Sequence, residues 1–143
     1  MANLVTNKLK FRVLSGSVNL GSATQKLMLL KSGTPNADDN VVNDITPGTN
    51  ELSVGGYARQ TLANKTVTED DTNDFAYMDA DDVVFTALAT GQTITWAYLL
   101  EFVTNDTDSF LEAAYDVTDT PTNGGNITIV WNTPANGAVI KAA

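Results

Sequence analysis

The chain has no histidine and no cysteine. Without histidine it lacks the commonest general base, the Ser-His and Cys-His nucleophile pairs, and the usual transition-metal ligand. Without cysteine there is no disulfide framework, no thiolate nucleophile and no zinc–thiolate site, which fits a reducing compartment. Any reaction would have to be run by carboxylates, lysine or tyrosine alone, and the sequence predicts no enzyme: no catalytic residue, cofactor-binding residue or metal ligand is assigned. Uninterrupted apolar runs are also missing. The most apolar window, Val83 to Val103, is broken by Thr86, Thr90, Gly91, Gln92, Thr93, Thr95 and Glu101, so it reads as sheet rather than as a membrane span. The opening "MANLVTNKLKFRVLSG" has no continuous apolar core and its positive charges come late, so no secretion signal is expected. The expected product is soluble and made in a cytoplasm.

Acids are missing from one end. Residues 1–31 contain Lys8, Lys10, Arg12, Lys26 and Lys31 and no Asp or Glu, whereas the remainder sets Arg59, Lys65 and Lys141 against all 17 acids. The net charge of −9 and pI near 4.1 argue against a nucleic-acid partner. A basic end on an acidic body suits a chain that docks by that end.

What is present is β texture. The chain is 143 residues long and 43% hydrophobic, enough for one domain with a core. "KLKFRVL" alternates, with Leu9, Phe11 and Val13 facing one way and Lys8, Lys10 and Arg12 the other, and predicts an extended strand. Gln25–Lys31 is an apolar run of strand length. Ser32–Asn50, rich in Gly, Pro, Asn and Asp, reads as a long loop, a length that usually carries a task. Short strands follow around Glu51–Val54, Tyr57–Leu62, Phe75–Met78 and Val83–Leu88. "QTITWAYLLEFVT" is the clearest of all: Ile94, Trp96, Tyr98, Leu100 and Phe102 are expected on one core face, and Leu99 and Val103 on the other mark a central strand. Phe110–Val117 aligns Leu111, Ala113, Tyr115 and Val117. "TDTPTNGG" carries the Asn-Gly signal of a hairpin. Asn126–Asn132 aligns Ile127, Ile129 and Trp131, and Gly137–Lys141 is a last strand. The expected architecture is all-β: an antiparallel two-sheet, jelly-roll-like sandwich over 25–143, preceded by a basic extended arm or edge strand over 1–24.

The candidate sites are few. The acid run "EDDTNDFAYMDADD" could supply oxygens to calcium, but it lacks the glycine and closing glutamate of an EF-hand loop, and such runs are ordinarily solvated turns. Some of the 17 acids fall by chance at the spacing of a glycosidase pair, and no cleft pattern accompanies them. Trp96, Tyr98, Phe102, Tyr115 and Trp131 could form a sugar platform, yet they share faces with Ile94, Leu100, Leu111 and Ile127 and read as core. Three Asn-X-Thr triplets, at Asn64, Asn105 and Asn126, are expected by chance in so Asn- and Thr-rich a chain. Two stretches remain. Lys8, Lys10, Phe11 and Arg12 are candidates for docking an acidic surface. In "VGGYARQ" the paired glycines imply a positive φ, a bulge or a close backbone approach. There Tyr57 and Arg59, on one face, are candidates for a subunit contact, since both residue types are enriched at interface hot spots.

"ELSVGGYARQTL", "ADDVVFTALATGQTITWAYLLEF" and "PTNGGNITIVWNTPANGAVI" together resemble small virion proteins of tailed bacteriophages, over roughly residues 51–141. The resemblance implies a capsid decoration (cement) protein: β-rich, a homotrimer, lying on the capsid exterior with the major capsid protein as partner. A tail or head-fibre module that binds a receptor or carbohydrate is the alternative it implies. The first 50 residues carry no part of the resemblance.

Overall fold

The computed structural model describes residues 3–133 and 138–142. Within them the chain is an antiparallel all-β sandwich with two short helices. One layer is a five-stranded sheet in the order β1-β8-β7-β2-β3, built from β1 (Asn3–Val5), β2 (Gln25–Leu30), β3 (Gln60–Thr61), β7 (Thr93–Glu101) and β8 (Phe110–Pro121). The other layer is made by two smaller sheets. One has the order β10-β5-β4, from β4 (Thr66–Asp70), β5 (Phe75–Asp79) and β10 (Ile140–Ala142). The other pairs β6 (Val83–Phe85) with β9 (Ile127–Ile129). The expected final strand begins at Gly137, which lies outside the described residues, and β10 occupies its end.

The main core lies between the layers. Leu27, Leu29, Ala97, Leu99, Ala113 and Tyr115 of the large sheet meet Met78, Val83, Phe85, Ile129, Trp131 and Ile140 from the small ones. Tyr115 crosses the gap, its hydroxyl donating to the Val139 carbonyl at 2.7 Å and its ring set edge-on to Trp131 at 5.2 Å. The opposite face of the large sheet is buried as well. Met28, Leu30, Tyr98, Leu100, Leu111 and Ala114 pack beneath Val42 and Ile45. These two come from a 3-10 turn, Val42–Ile45, in the Ser32–Asn50 stretch, followed by helix α2 (Pro47–Asn50). That long polar segment therefore acts as a third layer. Covered on both faces and flanked by β8 and β2, β7 is the central strand, as its two-faced apolar pattern requires.

Three local expectations are corrected. First, Asn7–Leu14 is not a strand but helix α1. Thr6 caps it, its hydroxyl accepting from the Leu9 N–H at 3.1 Å, a preference alternation does not register. Leu9 and Arg12, three residues apart, form its inward stripe, while Phe11 and Leu14 stay outside. The segment is not a free arm either. β1 pairs with β8, the Thr6 N–H donates to the Glu112 carbonyl at 3.0 Å, and the Thr6 hydroxyl donates to the Leu111 carbonyl at 2.8 Å. Second, alternation breaks in the long strands, because the β7–β8 register shifts between Ile94 and Trp96 and again between Leu99 and Leu100. Ile94 thus belongs with Ala97 and Leu99 in the main core, not with Trp96 and Tyr98, and Leu111 faces away from Ala113 and Tyr115. Third, Asn123-Gly124 closes no hairpin, since β8 and β9 lie in different sheets. The turn, with Gly124 at φ +87°, instead carries the chain from one layer to the other.

Candidate functional site

The Gly-Gly-Tyr-Ala-Arg stretch folds as a fastening. Gly56 has φ +84°, and a Cβ there would lie 2.6 Å from the Ala87 carbonyl oxygen. Positive φ and close backbone approach thus both apply, and no other residue type fits. The turn, closed by the Tyr57 N–H on the Val54 carbonyl at 3.2 Å, swings Tyr57 and Arg59 onto Glu51. The Tyr57 hydroxyl donates to Glu51 at 2.7 Å and accepts from the Leu29 N–H at 3.0 Å. Arg59 grips Glu51 through Nε and Nη2 at 2.8 and 2.7 Å, and Asp106 through Nη1 and Nη2 at 2.5 and 3.0 Å. Such a double fork locks two carboxylates in one plane. The Glu51 hydrogen bonds raise the Arg59 pKa, and burial raises that of Tyr57. Tyr57 also stacks on Phe85, ring centroids 6.0 Å apart. Both residues expected at a subunit contact are therefore engaged within their own chain, tying the β2–β3 connection to the loop after β7.

The four basic-end candidates separate on α1. The Arg12 side chain is buried, ion-paired with Glu101, and donates to the Ser17 carbonyl at 3.3 Å with its guanidinium 4.2 Å from the Phe110 ring centre. It anchors the helix and presents nothing outward, which corrects its assignment as a docking residue. Phe11 is 63% exposed. Lys8 lies half-buried on the Phe110 side of the helix, its ammonium 5.3 Å from that ring, and Lys10 is exposed. The opposite flank of α1 faces β10 across a groove of about 440 Å³ lined by Val5, Leu9, Lys10, Val13, Leu14 and Ile140. Leu14 is 89% exposed.

The acidic turns are occupied with their own backbones. Asp70 accepts from the Asn73 side chain at 2.9 Å and from the N–H groups of Thr72 and Asn73, which holds its carboxyl below the usual range. Asp108 accepts from the Thr104 hydroxyl and from the N–H groups of Asn105 and Thr104, with the same consequence. Among the described residues no group of three or more Asp or Glu side chains is placed to hold a metal ion. The aromatic candidates line cores: Tyr98, Tyr115 and Trp131 are buried, and Trp96 and Phe102 pack half-buried beneath the long loop. The Trp131 indole donates to the Asp81 carbonyl at 2.9 Å.

One charged group was not signalled by the sequence. Glu112 is the extra residue of the second register shift, so the strand opens a bulge there. Its carboxyl is 0% exposed. Oε2 accepts from the Gln25 amide at 3.2 Å, and Oε1 has no partner among the described residues. Gln25 in turn accepts from the Lys65 ammonium at 2.7 Å, and that ammonium also donates to the Ala23 carbonyl. Burial pushes the Glu112 carboxyl up to about 7; Gln25, Arg12 and Lys65 act downward and Glu101 upward. Burial lowers the Lys65 pKa. Strand alternation would have turned Glu112 away from the Ala113 side, and no residue pattern announces the bulge.

The chain matches no protein-family profile, no curated protein and no solved structure.

Proposed function

We propose that this chain is a non-enzymatic structural protein of a tailed-phage virion, a decoration protein that binds the outer surface of the capsid as a homotrimer. The resemblance of "GGYARQTL", the β7 strand and "NGGNITIVW" to phage virion proteins supports the virion setting. The observation that carries the docking role is the outer face of α1. A basic and apolar face, with Lys8 and a 63% exposed Phe11 and with Lys10 on the flank beyond it, stands on a body that holds all 17 acids. Arg12 and Thr6 pin that face in place, so docking needs little ordering of the chain. Phe11 is the anchor and Lys8 the steering charge on the flank over Phe110, directed at an acidic patch of the major capsid protein. A clamp across neighbouring capsid subunits favours the assembled shell by mass action.

The test is co-sedimentation with empty heads assembled from the cognate major capsid protein. The wild-type chain is expected to pellet with the heads, and Lys8→Glu with Phe11→Ala to reduce that binding at least tenfold while leaving the circular dichroism unchanged. Removal of the whole N-terminal segment would not serve, because Thr6, Leu9 and Arg12 belong to the folded body. Heads that bind neither protein, or both equally, would overturn the proposal.

A further inference from the structure

Three side chains meet in order beside the Glu112 bulge: an amine, an amide and a carboxyl. The Lys65 ammonium donates to the Gln25 Oε1 at 2.7 Å, and the Gln25 Nε2 donates to the Glu112 Oε2 at 3.2 Å. A simple charge pair would set Lys65 directly on Glu112, but here the Gln25 amide stands between base and acid. Gln25 and Glu112 are both 0% exposed. Gln25 is fixed by its backbone, whose N–H donates to the Ala23 carbonyl at 3.1 Å and whose carbonyl accepts from the Leu62 N–H at 3.0 Å. The Lys65 ammonium is steadied by the Ala23 carbonyl. Its hydrogen bond to Oε1 brings the nitrogen close to van der Waals contact with the Gln25 Cδ, the separation of a near-attack pair. Burial favours the free amine of Lys65 and the protonated acid of Glu112, the forms in which an amine attacks and an acid donates. The second Glu112 oxygen has no partner among the described residues and is open to a proton. Arg12 and Glu101, the other charges that face the cluster, are paired with each other.

We propose that Lys65 and Gln25 join in an intramolecular isopeptide bond, with Glu112 as the proton carrier. Lys65 passes a proton to the Glu112 carboxylate and becomes the free amine. Its Nζ attacks the Gln25 Cδ, and the carbonyl electron pair moves onto Oε1. The Glu112 carboxyl then gives its proton to Nε2. The carbonyl re-forms, the Cδ–Nε2 bond breaks and ammonia leaves. One proton of the attacking nitrogen returns to Glu112. One C–N bond replaces another, nothing is oxidised or reduced, and no co-reactant is needed. The burial of Gln25 keeps water from competing for the carbonyl. Each chain makes the link once, as a maturation of its own fold and not as turnover. The bond ties the first residue of β2, in the five-stranded sheet, to the residue before β4, in the opposite layer, across 40 residues of sequence. A chain without cysteine thereby gains the kind of covalent tie that a disulfide gives elsewhere.

The test is intact mass spectrometry of the full chain, freshly purified and after prolonged incubation at neutral pH. The wild type is expected to be lighter than its sequence mass of 15.2 kDa by one ammonia. Trypsin is expected to leave Lys65 uncut and to release residues 13–26 joined to residues 60–141, and fragmentation places the branch at Gln25 and Lys65. Lys65→Arg keeps the charge without a nucleophile and is expected at full mass with the wild-type circular dichroism. Glu112→Gln is expected to slow the linkage by about a hundredfold. The linked chain has lost the Lys65 charge, so ion exchange separates it from the unlinked chain, and the pH dependence of Glu112 is measured on the unlinked one. A wild type that stays at full mass, an ammonia loss that persists in Lys65→Arg or maps to another site, or a linkage undiminished in Glu112→Gln would overturn the inference.

Discussion

Glu112→Gln isolates the cost of a buried charge. The folded chain holds the Glu112 proton until about pH 7, whereas an ordinary glutamate releases it near 4.5. Between these values the unfolded chain binds fewer protons than the folded one, so stability falls as pH rises. The contribution is fully present below about pH 4.5 and is gone above about pH 7. At ~1.4 kcal/mol per pKa unit, an interval of about 2.5 units corresponds to about 3 kcal/mol. That figure is a ceiling, because water reaching the unpartnered Oε1 would lower it. Glutamine keeps the shape and the Gln25 contact without titrating, and Arg12, Lys65 and Glu101, which face the site, are common to both proteins. Urea unfolding of the two proteins from about pH 4 to pH 8.5 measures the effect. The variant is expected within about 1 kcal/mol of the wild type near pH 4 and to be more stable by about 2–3 kcal/mol above pH 7.5. Parallel stability curves across that range would refute the reasoning.

Other outcomes follow from geometry. Gly56→Ala is expected to cost about 2–4 kcal/mol, since it adds a clash with Ala87 to the strain of positive φ. Gly124→Ala, at a similar φ with nothing within 4 Å, is expected to cost only about 1 kcal/mol; thermal melts of the pair separate the two terms. Arg59→Lys, which keeps the charge and loses the fork, is expected to cost about 1–2 kcal/mol, and a double-mutant cycle with Glu51→Gln measures the coupling. Leu9→Ala is expected to cost about 2–4 kcal/mol by opening the core under α1. Phe11→Ala is expected to fall within about 0.5 kcal/mol of the wild type in the isolated protein, which chemical denaturation checks.

The all-β class and the central place of β7 were legible where burial acts along a whole strand. β7 announces itself as central because both its faces are apolar, and Ile127, Ile129 and Trp131 do share the main core. The errors fall where one residue changes the period. Alternation in "KLKFRVL" fits a strand, but Thr6 as a cap and the Leu9–Arg12 stripe make it a helix. Register shifts beside Thr95 and at Glu112 reverse which residues face each core, and nothing in residue type marks them. The Gly-Gly signal was legible down to its causes at Gly56. Its consequence was not, because Glu51 and Asp106, which Tyr57 and Arg59 reach, are distributed acids no different in sequence from their neighbours.

The strand order also sets a timetable for synthesis. β2 pairs Gln25 with Glu101, and β1 pairs Asn3 with Tyr115. β1 therefore leaves the ribosome long before its partner exists, and β2, with its apolar "KLMLL" run, waits for β7 with only the short β3 to pair with. β4 finds β5 locally across the turn between Asp70 and Phe75, and β7 finds β8 across the turn between Glu101 and Phe110. The β7–β8 ladder is the longer of the two, and the earlier strands would dock onto it in a late, rate-limiting closure. A chain stalled before Phe110 would hold most of its core residues but lack β8, the strand that joins β1 to β7.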